Sequence, residues 1–203
     1  AQAIGVEVAD FTYTQQTHTT NVKRVYARER GQSFPETDGM ITDVPGICLV
    51  TSYADCVPLY FVDPVKKVIG LSHSGWRGTV GKIGKVTVEK MEEEFGCDPA
   101  DILGAVGPSI CQDCYEVSED VIKKFCENYD ENLWPEIFYQ KENGKYQLNL
   151  WKANESVFLE SGILPEHIAV TNVCTHCNPD ILFSHRTTGN ERGTLSAFLA
   201  LKK

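Results

Sequence analysis

Short apolar runs at residues 47–53, 59–62, 68–71 and 102–106 stand around one segment with a different period. In that segment, residues 79–95, the apolar side chains Val80, Ile83, Val86, Met91 and Phe95 suit one helix face, and residues 89–94 supply acids for the wet side. Runs of that length read as strands, and the longer spacing reads as an amphipathic helix. Asp98-Pro99 has the form of an N-cap and first position for a short turn. Ser118 is predicted to cap a helix over residues 119–126, and Asn149 one that runs to Ser161 and stops at Gly162. Residues 168–173, 181–184 and 195–201 are predicted strands. Strands and helices are mixed throughout, so the expected fold is α/β or α+β, a layered domain with mixed sheets flanked by helices. No repeat, low-complexity tract or long linker divides the chain, so residues 1–203 are expected to form a single domain.

Charge and composition exclude several classes of function. With 19 Lys and Arg against 28 Asp and Glu, the net charge of −9 argues against non-specific binding to nucleic acid or to an anionic membrane. A few local arginines could still hold a small anion. No apolar run approaches the roughly 18–20 residues that a membrane helix needs. The opening Ala1-Gln2-Ala3-Ile4-Gly5 lacks a basic region followed by an apolar one. A cytoplasmic location is therefore expected, where free thiols and thiolate ligands persist. That matters because the chain holds eight cysteines and five histidines, too sparse in cysteine for a disulfide-stapled scaffold.

One glycine-rich stretch fails as a phosphate loop. Gly78-Thr79-Val80-Gly81-Lys82-Ile83-Gly84-Lys85-Val86 has one residue too many between Gly78 and Gly84, and Val86 stands where a P-loop needs Ser or Thr. The pairs Cys111-x-x-Cys114 and Cys174-x-x-Cys177 resemble the halves of a four-cysteine zinc site. They lie 60 positions apart, against roughly 15–20 in the common pattern. A structural metal, reduced cysteines packed near a site and a redox pair all remain open. Cys48, Cys97 and Cys126 are read as packing residues.

A more dispersed set consists of His18, Cys56 and His73, each at the end of an apolar run or in the turn after it. Such positions are where α/β folds place reactive groups. Two imidazoles and one thiolate are the donors of an open catalytic zinc site. The plain alternative is a buried cysteine and two satisfied histidines. The turn Gly75-Trp76-Arg77-Gly78 allows a close backbone bend and presents a planar guanidinium suited to phosphate or carboxylate.

The wording around these residues resembles one family. Gln16-Thr17-His18, Ala54-Asp55-Cys56-Val57-Pro58, His73-Ser74-Gly75-Trp76-Arg77-Gly78, Gly107-Pro108-Ser109-Ile110, Tyr115-Glu116-Val117 and Phe183-Ser184-His185-Arg186 occur in the order of the YfiH-like family. That family has been called polyphenol oxidase or laccase-domain protein and is described as purine nucleoside phosphorylases. The resemblance runs from about Asp10 to Leu201 and implies that His18, Cys56 and His73 are zinc ligands. It further implies phosphorolysis of adenosine, inosine and methylthioadenosine to free base and (methylthio)ribose 1-phosphate, with adenosine deaminase activity. Family members carry some tens of residues ahead of the Gln-x-His motif, including a Thr-Arg and Gly-Gly segment. Here 17 residues precede His18, so the chain is expected to lack that N-terminal segment.

Roles follow from residue chemistry within that frame. Asp55, beside a ligand, is expected to accept a proton or orient the ligand. Arg77 and Arg186 are candidates to hold phosphate, and Tyr115 and Trp76 to stack on a base. The oxidase label fails on count, because a multicopper cluster needs far more imidazoles than His18, His73, His167, His176 and His185 provide. Copper remains a minor occupant of the three-donor site through its intrinsic affinity. Two other readings stand beside this one: a cysteine hydrolase or amidase with a Cys56–His73 dyad, and a non-enzymatic interaction module stabilised by metal at the four paired cysteines.

Overall fold

The alternation of short apolar runs and helical segments is realised in a computed structural model that describes residues 4–202. The reading of Ala1, Gln2 and Ala3 lies outside those residues. The strands are β1 (Phe11–Gln15), β2 (Val22–Arg24), β3 (Ser33–Pro35), β4 (Gly39–Thr42), β5 (Cys48–Tyr53), β6 (Val57–Asp63) and β7 (Val68–Ser74). They continue as β8 (Leu103–Val106), β9 (Glu116–Val117), β10 (Phe138–Gln140), β11 (Tyr146–Leu148), β12 (Ile168–Val170) and β13 (Leu195–Ala200). The helices are α1 (Trp76–Val80), α2 (Ile83–Phe95), α3 (Glu119–Asn128), α4 (Trp134–Ile137), α5 (Leu150–Glu160) and α6 (His185–Thr188).

A six-stranded sheet, ordered β12-β8-β6-β7-β4-β2, forms the middle of the domain. Its directions are mixed: β12 runs parallel to β8 and β2 to β4, while β6 opposes β7 and β8 and β7 opposes β4. The period-two alternation of a strand sends its side chains to two different cores. Val57, Leu59 and Phe61 face a core shared with Ile83, Val88 and Met91 of α2 and Phe158 of α5. Met40, Ile69 and Leu71 face the other way, onto Leu49 and Tyr53 of β5 and Ala197 of β13. Those partners belong to the four-stranded sheet β13-β5-β1-β3. One compact α/β domain results, with helices, a central sheet and a second sheet in layers. Cys48 and Cys97 are buried and Cys126 is partly buried against the larger core, in keeping with packing roles.

The strand expected over residues 168–173 ends at Val170, and two elements differ more widely from the expected ones. The helix foreseen over residues 79–95 is broken at Lys82, whose φ of 55° is left-handed, so α1 starts upstream at Trp76 and α2 runs from Ile83. Gly96, at φ 65°, ends α2 in a left-handed cap. The strand expected at residues 181–184 is absent from the described residues. Asn178 O accepts from Ile181 N and Leu182 N, which spends that backbone on a turn, and Ser184 caps α6 by accepting from Thr187 N. Ile181 is accordingly 76% exposed, an apolar residue with no sheet to join. Asn149 caps α5 as foreseen, through Lys152 N. Among the described residues, no helix is long and apolar enough to cross a membrane.

Phe158 joins α5 to the central sheet: it is fully buried, with its ring 5.1 Å from that of Phe61. Truncation to alanine leaves a cavity that neighbouring strands cannot close. Phe158→Ala is expected to lower the unfolding free energy by about 3–5 kcal/mol, read as an earlier denaturant midpoint at unchanged slope.

Candidate functional site

One end of the central sheet gathers the reactive side chains, and strand direction explains why. His18 lies just before β2, Asp38 just before β4 and Cys56 just before β6, while His73 lies at the end of β7. Because β4 and β6 both oppose β7, Gly39 pairs with Ser72, Pro58 with His73 and Val57 with Ser74. Because β2 parallels β4, Val22 falls beside Gly39. Positions far apart in sequence therefore share one sheet end.

Asp38 organises this cluster. It is fully buried, and its carboxylate accepts from Thr17 N at 3.1 Å, His18 N at 3.0 Å, Thr19 N at 2.9 Å and Thr19 Oγ1 at 2.8 Å. It also pairs with His73 Nδ1 at 2.9 Å. Burial alone would raise this carboxyl, but the bonds from His73 and Thr19 outweigh it and hold the pKa at about 2. Those backbone bonds fix His18 at φ 62°, a left-handed conformation that a histidine adopts only when its surroundings enforce it.

With Nδ1 engaged by Asp38, His73 has Nε2 left for the site. The ring centroids of His18 and His73 stand 4.9 Å apart, and Cys56 Sγ is 3.9 Å from His18 Nε2. Burial would depress His73, yet Asp38 and Cys56 beside it raise it to about 9. Burial would likewise raise Cys56, yet His18 and His73 bring it down to about 6. The three donor atoms lie within 4.8 Å of one another. Tetrahedral bonds of roughly 2.0–2.3 Å place donors about 3.5 Å apart, so the set fits a zinc-like ion after small side-chain shifts. A carboxylate on the far nitrogen of a ligating histidine is the usual support of such a site. Gly75 is required by crowding: a Cβ there would come within 2.7 Å of His18 Cδ2 and 3.1 Å of Cys56 Sγ.

The donors open into a cavity of about 360 Å³, lined also by Gln16, Ser52, Tyr53, Arg192 and Thr194. Gln16 is clamped across it, its side chain donating to Ser52 O at 2.7 Å and accepting from Ser52 N at 2.9 Å. The remaining expected residues lie outside the lining of this cavity. Asp55, left-handed at φ 83°, has both oxygens engaged, accepting from Thr175 Oγ1 at 2.6 Å and Arg186 N at 2.7 Å. Arg77 is exposed, with its guanidinium 4.3 Å from the Trp76 ring centroid. Arg186 sits 5.2 Å from the Tyr115 ring centroid and donates to Glu116 O at 3.1 Å. Burial pushes the Tyr115 hydroxyl up. Tyr115 and Trp76 line a separate groove with Ser118 and Lys145. Among the described residues, His167, His176 and His185 join no donor group.

Sequence reasoning missed Asp38 and Arg192. The first precedes an apolar run without any local motif. The second sits in the polar loop Gly189-Asn190-Glu191-Arg192-Gly193, whose glycines were the available signal.

Comparison with known proteins places these features in a family. The profile of the family described as multi-copper polyphenol oxidoreductase laccase matches residues 1–202. A relative named purine nucleoside phosphorylase YlmD from Bacillus subtilis is 33% identical, over 100% of this chain and 75% of that protein. A protein named adenosine deaminase RL5, from an unknown prokaryotic organism, is 34% identical over 95% of this chain and 76% of its own length. The crystal structure of YfiH from Bacillus licheniformis superimposes with a TM-score of 0.96 at 32% identity, covering 100% of this chain and 78% of that one.

The depressed Cys56 thiol is directly measurable. In metal-stripped protein, alkylation of Cys56 followed by peptide mass spectrometry is expected to rise with a midpoint near pH 6. A midpoint near that of an ordinary thiol, about 8.5, would show that the imidazoles do not stabilise the thiolate. Added zinc is expected to protect Cys56.

Proposed function

The chain belongs to the multi-copper polyphenol oxidoreductase laccase family, and from that footing we propose that it is a zinc-dependent purine nucleoside enzyme. The reactions are phosphorolysis of adenosine, inosine and methylthioadenosine to free base and (methylthio)ribose 1-phosphate, together with adenosine deamination. The names of its relatives, purine nucleoside phosphorylase and adenosine deaminase, support this reading. The observation that carries it is the meeting of His18, Cys56 and His73 at a cavity, with Asp38 behind His73. Its volume of about 360 Å³ suits a small ligand.

His18, Cys56 and His73 would hold the metal, which supplies Lewis acidity at the cavity floor when bound; copper is a minor occupant. Asp38 keeps His73 in the tautomer that presents Nε2. Asp55 orients Cys56 through its bonds to Thr175 and Arg186. Arg192, on the cavity wall, and Arg77, exposed nearby, hold the phosphate. Tyr115 and Trp76 offer aromatic faces to the base, and Arg186 steadies Tyr115. Histidine number speaks against a multicopper oxidase, since among the described residues only His18 and His73 share a donor group. The eight free thiols suit the reducing cytosol, where we place the protein.

One observation favours a second reading. A lowered Cys56 beside a raised His73, itself bonded to Asp38, is also the arrangement of a cysteine hydrolase.

Incubation with adenosine or inosine separates the two. Free base and sugar 1-phosphate are expected only when phosphate is present, and Cys56→Ser and His73→Ala are each expected to fall to background. Base release indifferent to phosphate would contradict phosphorolysis. Amidase activity lost on thiol alkylation, with no nucleoside turnover, would favour the hydrolase.

A further inference from the structure

The two C-x-x-C pairs have no part in the cavity, yet the fold brings them together. Strands β8 and β12 pair in parallel, Val106 opposite Val170, so the chain leaves both at the same sheet end. The loops that follow stay side by side. Ser109 N donates to Val173 O and Thr175 N to Ser109 O, each at 3.1 Å, and Ser109 and Cys174 form an isolated parallel bridge. Adjacency of parallel strands thus brings together pairs that stand 60 positions apart. The sulfurs of Cys111, Cys114, Cys174 and Cys177 all lie within 4.8 Å of one another, with Cys114 and Cys177 at 3.4 Å.

We propose that these four cysteines bind a second zinc ion, a structural one, that fastens the loop after β8 to the loop after β12. Tetrahedral zinc–sulfur bonds of about 2.3 Å give sulfur–sulfur edges of about 3.8 Å, close to the spacing found. A disulfide needs about 2.05 Å, and all four cysteines are free. Two backbone amides already point at Cys174 Sγ, from Cys111 at 3.3 Å and Cys177 at 3.4 Å. Such N–H donors stabilise a thiolate and orient it as a ligand. The set has no open position for substrate, which is the mark of a structural site.

This clamp reaches the first site through a short path. Thr175 lies between the two cysteines of one pair and donates its hydroxyl to Asp55 Oδ1 at 2.6 Å. Ile110 N, one residue before Cys111, donates to Asp55 O at 3.0 Å. Asp55 is held left-handed, and the next residue is Cys56. Binding at the four sulfurs therefore holds the peptide that presents Cys56. The assignment does not depend on the nucleoside reading.

Metal content and spectroscopy of the full chain test it. About two zinc ions per wild-type chain are expected, falling to about one in His73→Ala and to about one in Cys114→Ser. Cobalt-loaded His73→Ala is expected to show the intense thiolate-to-cobalt charge transfer of a four-sulfur site, and the band should disappear in His73→Ala/Cys114→Ser. Should the cysteine variants fail to fold, the His73→Ala spectrum alone decides. One zinc in wild type that is wholly lost in His73→Ala would overturn the proposal. So would a cobalt spectrum of His73→Ala lacking thiolate charge transfer, or a disulfide among these cysteines in protein purified under reducing conditions.

Discussion

A single buried carboxylate, Asp38, ties the site together. Left alone in the interior it would be costly, since an unpartnered buried charge has lost its water without compensation. Here three backbone amides, a hydroxyl and an imidazole meet it, which turns a liability into a template. The amides belong to Thr17, His18 and Thr19, so the same group that orients His73 also bends the segment presenting His18. A third link runs through the backbone, where His73 N donates to Asp38 O at 2.7 Å. Two ligand candidates from separate parts of the chain are thereby fixed relative to one atom pair.

Sheet topology decides what else can share that end. In a purely parallel sheet the starts and ends of strands would sit at opposite edges. The mixed order brings the beginnings of β2, β4 and β6 beside the ends of β7, β8 and β12. Both donor groups lie along that edge, joined by Asp55. The second sheet contributes from the other side, since Gln16 follows β1 and Tyr53 ends β5. Tyr53 is nearly buried, and its ring centroid stands 5.4 Å from that of His73. The layered packing and the cavity thus depend on the same strands.

Legibility in the sequence followed the range of each interaction. The central strands could be read because runs such as residues 68–71 bury both faces and are apolar throughout. Strand β1, Phe11-Thr12-Tyr13-Thr14-Gln15, is mostly polar and owes its place to pairing with β3 and β5. His18, Cys56 and His73 were singled out by donor chemistry and by the family resemblance, with spacing contributing little. Asp38 was invisible because its partner lies 35 positions away and meets it only through the β4–β7 register. The separation of the C-x-x-C pairs argued against a common site for the same reason: linear distance says nothing about two loops leaving adjacent parallel strands. Ile181 and Phe183 misled in the other direction, apolar residues that remain substantially exposed beside a turn.

By this geometry Asp38 would build the candidate metal centre through its hold on His73 and the His18 segment, a dependence that can be measured. Its most direct test is the buffered zinc concentration that half-protects Cys56 from alkylation, compared between wild type and Asp38→Asn, because that readout is taken at a donor of this site and the two proteins share the four paired cysteines. Loss of a carboxylate supporting a ligating histidine typically weakens metal binding about 10–100-fold, and an increase of that size in the half-protecting concentration is predicted, with the fold retained. Equal protection in the two proteins would contradict the account and reduce Asp38 to a structural residue.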